Sequence, residues 1–178
     1  LAQSKKVIAI GECGLDYYRL DERTKDRQIA VFIQQIEMAN ELGVPLMLHI
    51  RPSQGSQDAY DDALEVVRTH AKVRGDVHFF AGNWDTARRW LDLGFTLSFT
   101  GVVTFTHDYD EVVRNTPLDM ILSETDAPYI TPVPYRGKRN ESAYIPDIVR
   151  ALAVIRGEGE DMVAEQLMLN VRRVFGLK

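Results

Sequence analysis

The sequence is poor in cysteine and histidine and has no long apolar run, and each shortage narrows what the chain can be. A single cysteine, Cys13, among 178 residues excludes an internal disulfide and suits a reducing compartment, so a cytoplasmic location is expected. No apolar stretch is long enough to cross a bilayer, so no membrane association is expected. The segment Leu1-Ala2-Gln3-Ser4-Lys5-Lys6 carries no hydrophobic signal region. Internal repeats, low-complexity tracts and linkers are absent, so residues 1–178 read as one domain. Basic charge is also short, with 21 Lys and Arg against 26 Asp and Glu for a formal net charge of −5. Any contact with nucleic acid must therefore come from a local basic patch rather than a global field.

What remains is an ordinary globular composition, 45% hydrophobic and 26% charged, patterned as alternating strand and helix. Strands are expected at Val7 to Ile10, Val44 to Ile50, Val77 to Phe80, Phe95 to Thr100 and Met120 to Ser123. Helices are expected from about Thr24 to Leu42, Asp58 to Lys72 and Thr86 to Leu93. A helical turn near Asp110 to Arg114 follows, then helices at Pro146 to Ile155 and Asp161 to Phe175. In the first helix Ile29, Phe32, Ile33, Ile36 and Ala39 recur at three- and four-residue steps, the mark of one buried face, and Gly43 supplies a left-handed cap. This order predicts an α/β fold with a parallel sheet. A βα unit takes about 30 residues and a closed (β/α)8 barrel about 250, so a partial TIM-type barrel of about five strands is expected, lacking N-terminal units. Residue 1 is Leu rather than Met, which agrees with a start that is processed or trimmed, or with a piece of something longer.

Chemistry-bearing residues gather where strands are expected to end. Glu12, His49, His78, Glu124 and Asp126 each follow a short apolar run. In a parallel barrel all strand C-termini meet at one face, so these side chains converge there. Carboxylates and imidazoles sharing a partly buried space call for a cation to offset desolvation and repulsion. Cys13 lacks a paired base that would make it a nucleophile. His70 reads as a helix C-terminal contact and His107 as a loop residue, and Trp84 and Trp90 read as packing between helix and sheet.

Three segments give the resemblance. Gly11-Glu12-Cys13-Gly14-Leu15-Asp16-Tyr17-Tyr18, Pro45-Leu46-Met47-Leu48-His49-Ile50-Arg51 and Glu124-Thr125-Asp126-Ala127-Pro128-Tyr129 resemble signatures of the TatD-like metal-dependent deoxyribonucleases. The loop Pro134-Tyr135-Arg136-Gly137-Lys138-Arg139-Asn140-Glu141 is similar as well. The resemblance implies a TIM barrel of the amidohydrolase-like kind that holds two divalent cations, Mg, Mn or Zn, at its C-terminal face. It maps a bridging carboxylate to Glu12, histidine ligands to His49 and His78, and an aspartate ligand and general base to Asp126. The family's His-x-His pair at its first strand has no counterpart here, since the histidines are His49, His70, His78 and His107. The family's Cys-Phe-Ser-Gly run is replaced by Phe79-Phe80-Ala81-Gly82, which removes a hydroxyl at Ala81.

The activity so implied is hydrolysis of DNA phosphodiesters, at single strands or ends and exonuclease-like, by metal-activated water. Arg51 either grips a phosphate bidentately or pairs with a neighbouring carboxylate. Arg136, Lys138 and Arg139 lie beside Tyr129 and Tyr135, either as a phosphate-and-stacking surface for single strands or as a solvated charge run. Glu124 either orients a ligand or is a structural carboxylate. Two other functions stay open: a metallo-hydrolase of the amidohydrolase type acting on another ester or amide, and a non-catalytic remnant that binds without turnover.

Overall fold

The computed structural model describes residues 2–19 and 24–178. In chain order the elements are β1 (Ile10–Asp16), α1 (Lys25–Leu42), β2 (Leu46–Arg51), α2 (Asp58–His70), β3 (Gly75–His78), α3 (Trp84–Asp92), β4 (Thr96–Phe99), α4 (Asp110–Asn115), β5 (Ile121–Ser123), α5 (Ile145–Arg156) and α6 (Glu160–Phe175). The strands form one five-stranded sheet in the order β1-β2-β3-β4-β5, and every pairing is parallel. The sheet does not close. This is the expected α/β architecture, an arc of a barrel with open edges at β1 and β5.

Strand periodicity sorts the sheet into two chemical faces. On β2, Leu46, Leu48 and Ile50 are buried while Met47, His49 and Arg51 alternate with them. Register carries this across the sheet. Cys13 pairs with Leu48 and Leu15 with Ile50, Leu48 with Val77, Val77 with Leu97 and Leu97 with Ile121. These form the apolar face, which packs with Phe32, Ile36, Tyr60, Leu64 and Trp90 into one core. The other face carries Asp16, Met47, His49, Arg51, Asp76, His78, Thr96, Ser98 and Leu122, and it is there that polar groups meet.

The helices begin and end as their sequences dictate. Gly43 and Gly157 close α1 and α5 in the left-handed conformation, at φ 64° and 69°, and Asn83 caps α3 by accepting from the Thr86 N–H. Asn170 of α6 is buried and donates to the carbonyls of Leu118 and Ile121, both at 2.8 Å. That pair fixes the last helix against the start of β5.

Every strand differs from its expected bounds by a residue or more, and the first and third shift most, where glycines let the strands approach closely. The first strand is not Val7 to Ile10 but begins at Ile10 and runs through the motif Gly11 to Asp16. A Cβ on Gly11 would lie 2.6 Å from the Met47 Cβ, and one on Gly14 2.0 Å from the His49 carbonyl oxygen, so only glycine lets β1 pass this close to β2. The third strand begins at Gly75, where a Cβ would lie 1.9 Å from the Leu46 carbonyl oxygen. It ends at His78 because Phe79 takes φ 45°. These glycines are close-approach positions inside strands.

Candidate metal centre

His49 and His78 are register partners on neighbouring strands, which sets their rings side by side on the polar face. Glu12 reaches both rings. Its Oε1 lies 2.9 Å from His78 Nε2, and its Oε2 lies 3.9 Å from His49 Nδ1. Asp126 Oδ1 approaches His78 Nε2 at 3.6 Å. One potential ligand atom from each of Glu12, His78 and Asp126 falls within a 4.8 Å cluster. His49 stands at the edge of that cluster rather than inside it. Of the five strand-end groups, only His78 ends its strand. Glu12 lies inside β1, His49 lies two residues before the end of β2, and Glu124 and Asp126 follow β5.

Glu124 sits behind His78, away from the cluster. Its Oε2 is 2.8 Å from His78 Nδ1. Its Oε1 accepts from the Phe79 N–H at 2.6 Å and from Ser98 Oγ at 2.5 Å. Glu124 and Asp126 therefore flank opposite ring nitrogens of His78. They do not share a strand face, because Asp126 follows the strand and takes φ 53°, in the left-handed region. An analogous contact exists on the other ring, where Asp16 Oδ2 lies 3.2 Å from His49 Nε2.

Asp126 owes its place to a residue that carries no site signal of its own in the sequence. Asn140 is buried and donates from Nδ2 to the carbonyls of Thr125 and Tyr129, at 2.6 and 2.5 Å, while its Oδ1 accepts from the Glu141 N–H at 2.9 Å. Its own N–H reaches the Pro128 carbonyl at 3.1 Å. The turn holding Asp126 is thus tied on both sides. Asp16, Ser98 and Asn140 are revealed only by cross-strand and cross-loop contacts.

The electrostatics favour a cation. Among the described residues, Glu12, Asp16, Glu124 and Asp126 find their ion-pair partners in histidines. Burial opposes a charge on His78, yet the Glu124 hydrogen bond and the charges of Glu124, Glu12 and Asp126 push its pKa up to about 9. Asp126 is raised by burial and by Glu124 and Glu12, against the opposing pull of His78 and His49. A proton on His78 Nε2 therefore stands where positive charge is wanted. A divalent ion ligated by the same nitrogen and by the two carboxylates would replace it. The donor set, imidazole plus carboxylate, suits Zn or Mn in hardness and geometry.

Next to the cluster lies a cavity of about 500 Å³ lined by His49, Ile50, Arg51, Pro52, His78, Phe79, Ala81, Asp126, Tyr129 and Ile130. Arg51 belongs to its wall and lies over Tyr18, with its guanidinium carbon 4.0 Å from the ring centroid. Arg136, Lys138 and Arg139 are not among the lining residues. Arg136 donates to the Thr131 carbonyl at 2.9 Å and stacks on Phe105, and Lys138 lies over Tyr135, which in turn stacks on Tyr144. Two of the three basic loop residues thus brace their own loop. Cys13 is buried, with its thiol pushed up to about 12 by burial and by Glu12. Of the other histidines, His107 is exposed and pairs with Asp110, and His70 ends α2.

Comparison with known proteins places this geometry in context. The family model described as TatD related DNase matches residues 1–176. The uncharacterized metal-dependent hydrolase YcfH of Escherichia coli (strain K12) is 40% identical, over 98% of this chain and 65% of that protein. The 3'-5' ssDNA/RNA exonuclease TatD of Klebsiella pneumoniae (strain 342) is 37% identical, over 99% of this chain and 68% of that protein. The crystal structure of YJJV, a TatD homologue from Escherichia coli K12, superposes with a TM-score of 0.87 at 27% identity, covering 98% of this chain and 66% of that one. The chain thus spans about 65% of the length of the curated relatives it matches first.

Proposed function

The chain belongs to the TatD related DNase family, whose members include proteins named as metal-dependent hydrolases and nucleases, and from that premise we propose that its polar sheet face binds a divalent cation and serves hydrolysis of nucleic-acid phosphodiesters. The observation that carries the reading is the convergence of Glu12, His78 and Asp126 on one point beside a cavity that contains Arg51. Glu12, His78 and Asp126 would hold the ion, with His49 at the edge of the cluster completing the set. When bound, a divalent cation supplies electrophilic stabilisation to an ester oxygen.

The protein's own groups do the rest. Asp126 opens on the cavity and takes the proton of the attacking water. Arg51 orients the phosphate through paired N–H groups, held in place by its stack on Tyr18. Tyr129, 69% exposed at the cavity wall, offers a stacking face for an unpaired base, as suits a single-stranded DNA or RNA end. Arg139 and the outward parts of Arg136 and Lys138 add basic charge for more distant phosphates. A hydrolase acting on another ester would use the same ligands, and Arg51 is the residue that favours phosphate.

The test is a titration of the chain with zinc, followed by binding of a short single-stranded DNA. About one tightly held ion per chain is expected, because the candidate ligands are enough for one site and too few for two. His49→Ala should weaken the ion by about tenfold or more, in the range seen when a ligand or its support is lost. Arg51→Ala should leave the ion in place and weaken the DNA instead. Two tight ions per chain, or equal metal losses in both variants, refute the assignment.

A further inference from the structure

We propose that Asp16 is a positioning residue that locks the tautomer of His49, so that Nδ1 of that ring faces the metal centre. The inference rests on the reading of His49 as a ligand.

Asp16 is itself firmly placed. Gln28 grips its backbone from both sides, accepting from the Asp16 N–H at 2.8 Å and donating to its carbonyl at 3.0 Å. Gly14 lies directly opposite His49 in the β1–β2 register, so no side chain from that position stands between the two groups. The carboxylate then divides its oxygens. Oδ1 accepts from the Tyr18 N–H at 3.0 Å, and Oδ2 faces His49 Nε2 at 3.2 Å. A backbone N–H can only donate and an ionised carboxylate can only accept. The proton of the neutral ring is therefore held at Nε2, and the lone pair is left on Nδ1.

That lone pair points where it is needed. Nδ1 is 3.9 Å from Glu12 Oε2, too far for a hydrogen bond. Two atoms that each bind one ion at about 2 Å can stand up to about 4 Å apart, so the gap fits a shared ion. His78 uses the same device in mirror form. Glu124 is pinned by the Phe79 N–H and holds His78 Nδ1, which leaves Nε2 to face the other oxygen of Glu12. Neighbouring rings thus offer opposite nitrogens to the two oxygens of one carboxylate, and a separate carboxylate sets each ring.

Asparagine at this position gives a result that a merely structural role would not. In Asp16→Asn the amide oxygen must still accept from the Tyr18 N–H, so the NH2 group faces His49 Nε2. Two donors cannot face each other. The ring proton moves to Nδ1 and blocks the ligand position. Alanine leaves the ring free to choose. Zinc alone is titrated into the full chain and into Asp16→Asn, Asp16→Ala, Asp16→Glu and His49→Ala, with circular dichroism as the fold control. Nitrogen NMR of the His49 ring reads the tautomer. Losses of about 10-fold are expected for Asp16→Ala and about 100-fold for Asp16→Asn, with the His49 proton on Nε2 in the zinc-loaded parent and on Nδ1 in Asp16→Asn. Asp16→Glu, which keeps an acceptor, should bind better than Asp16→Ala.

Zinc affinity in Asp16→Asn equal to the parent, or better than in Asp16→Ala, overturns the proposal. Should Asp16→Asn not fold, equal losses in Asp16→Glu and Asp16→Ala overturn it. If His49→Ala binds zinc like the parent, the ligand assignment fails. If only the Asp16 variants do so, the ligand assignment stands and the inference about Asp16 fails.

Discussion

Replacing Asn140 by aspartate exchanges one NH2 group for an oxygen and should undo the turn that carries Asp126. Asn140 is 2% exposed, and its NH2 faces two carbonyl oxygens, those of Thr125 and Tyr129. Asn140→Ala removes three side-chain hydrogen bonds, two given by Nδ2 and one taken by Oδ1. At a net value of about 1 kcal/mol each, the loss is about 3 kcal/mol. The full penalty for unpaired buried groups does not apply, because Thr125 is only half-buried and Tyr129 is exposed, so water reaches part of what is left. Asn140→Asp should cost at least as much at neutral pH, since an ionised oxygen would face both carbonyls. A protonated carboxyl can still donate to one of them, so folding raises the pKa of this Asp above its unfolded value of about 3.9. Between the unfolded and folded values the native state binds more protons, so stability falls as pH rises through that window and recovers on acidification. Urea unfolding of the parent and both variants, at neutral and mildly acidic pH, measures this. Asp126 at φ 53° is a non-glycine residue in the left-handed region, strained by about 1–3 kcal/mol. Loosening its turn should therefore also weaken zinc. A loss under about 1 kcal/mol for Asn140→Ala, or an Asn140→Asp variant as stable as the parent and insensitive to acid, refutes the reasoning.

Two further outcomes follow from the same contacts. Glu124→Gln should bind zinc about 10- to 100-fold more weakly than the parent and no better than Glu124→Ala. The Phe79 N–H holds the amide oxygen, so the NH2 turns toward His78 Nδ1 and drives the ring proton to Nε2; zinc affinity in Glu124→Gln close to the parent would contradict this. Cys13 should resist alkylation in mildly alkaline buffer and react once urea is added, because its thiol is held up at about 12. An unfolded thiol ionises near 8.5, so this site contributes stability below that pH and loses it as pH rises further; equal labelling rates with and without urea would show the thiol to be accessible.

The parts of the fold that follow from local chemistry are legible in the sequence. Helix α1 is read from its apolar spacing and Gly43, and the parallel order follows from strand and helix alternation. β1 is misplaced because the apolar run Val7 to Ile10 reads as the strand, whereas the strand runs through Gly11 to Asp16, and only the distance to Met47 and His49 on the next strand shows why it needs glycine there. The candidate ligands are proposed for a topological reason, as groups following short apolar runs, although only His78 ends its strand and Glu12 lies inside β1. The carboxylates behind the rings were harder. The contact between Asp16 and His49 spans 33 residues and that between Glu124 and the Phe79 N–H spans 45, and the register that sets both is a property of the assembled sheet. Asn140 sits in a basic, polar run where nothing in the residue type distinguishes a buried clamp from a solvated side chain.

Arg51 is read in the sequence either as a phosphate grip or as a carboxylate partner, and its contacts in the sheet bear on the proposed function. Two residues beyond His49, it could have paired with a carboxylate of the centre, which would have spent its donors and neutralised an acid. Instead it lies over Tyr18, 4.0 Å from the ring centroid, and among the described residues it forms no ion pair with a carboxylate. A cation–π contact of this kind consumes no carboxylate partner. In the proposed centre, among the described residues, no arginine pairs with the acids on the floor, which would be left to a cation, and Arg51 would be left to an anion. An acidic floor that repels a phosphate on its own would become attractive once a divalent ion offset it, and under the proposed function Arg51 would add direction to that attraction. Affinity for an anionic substrate should therefore depend on both the metal and Arg51. Removing either should weaken it, while Arg51→Ala should leave the metal in place.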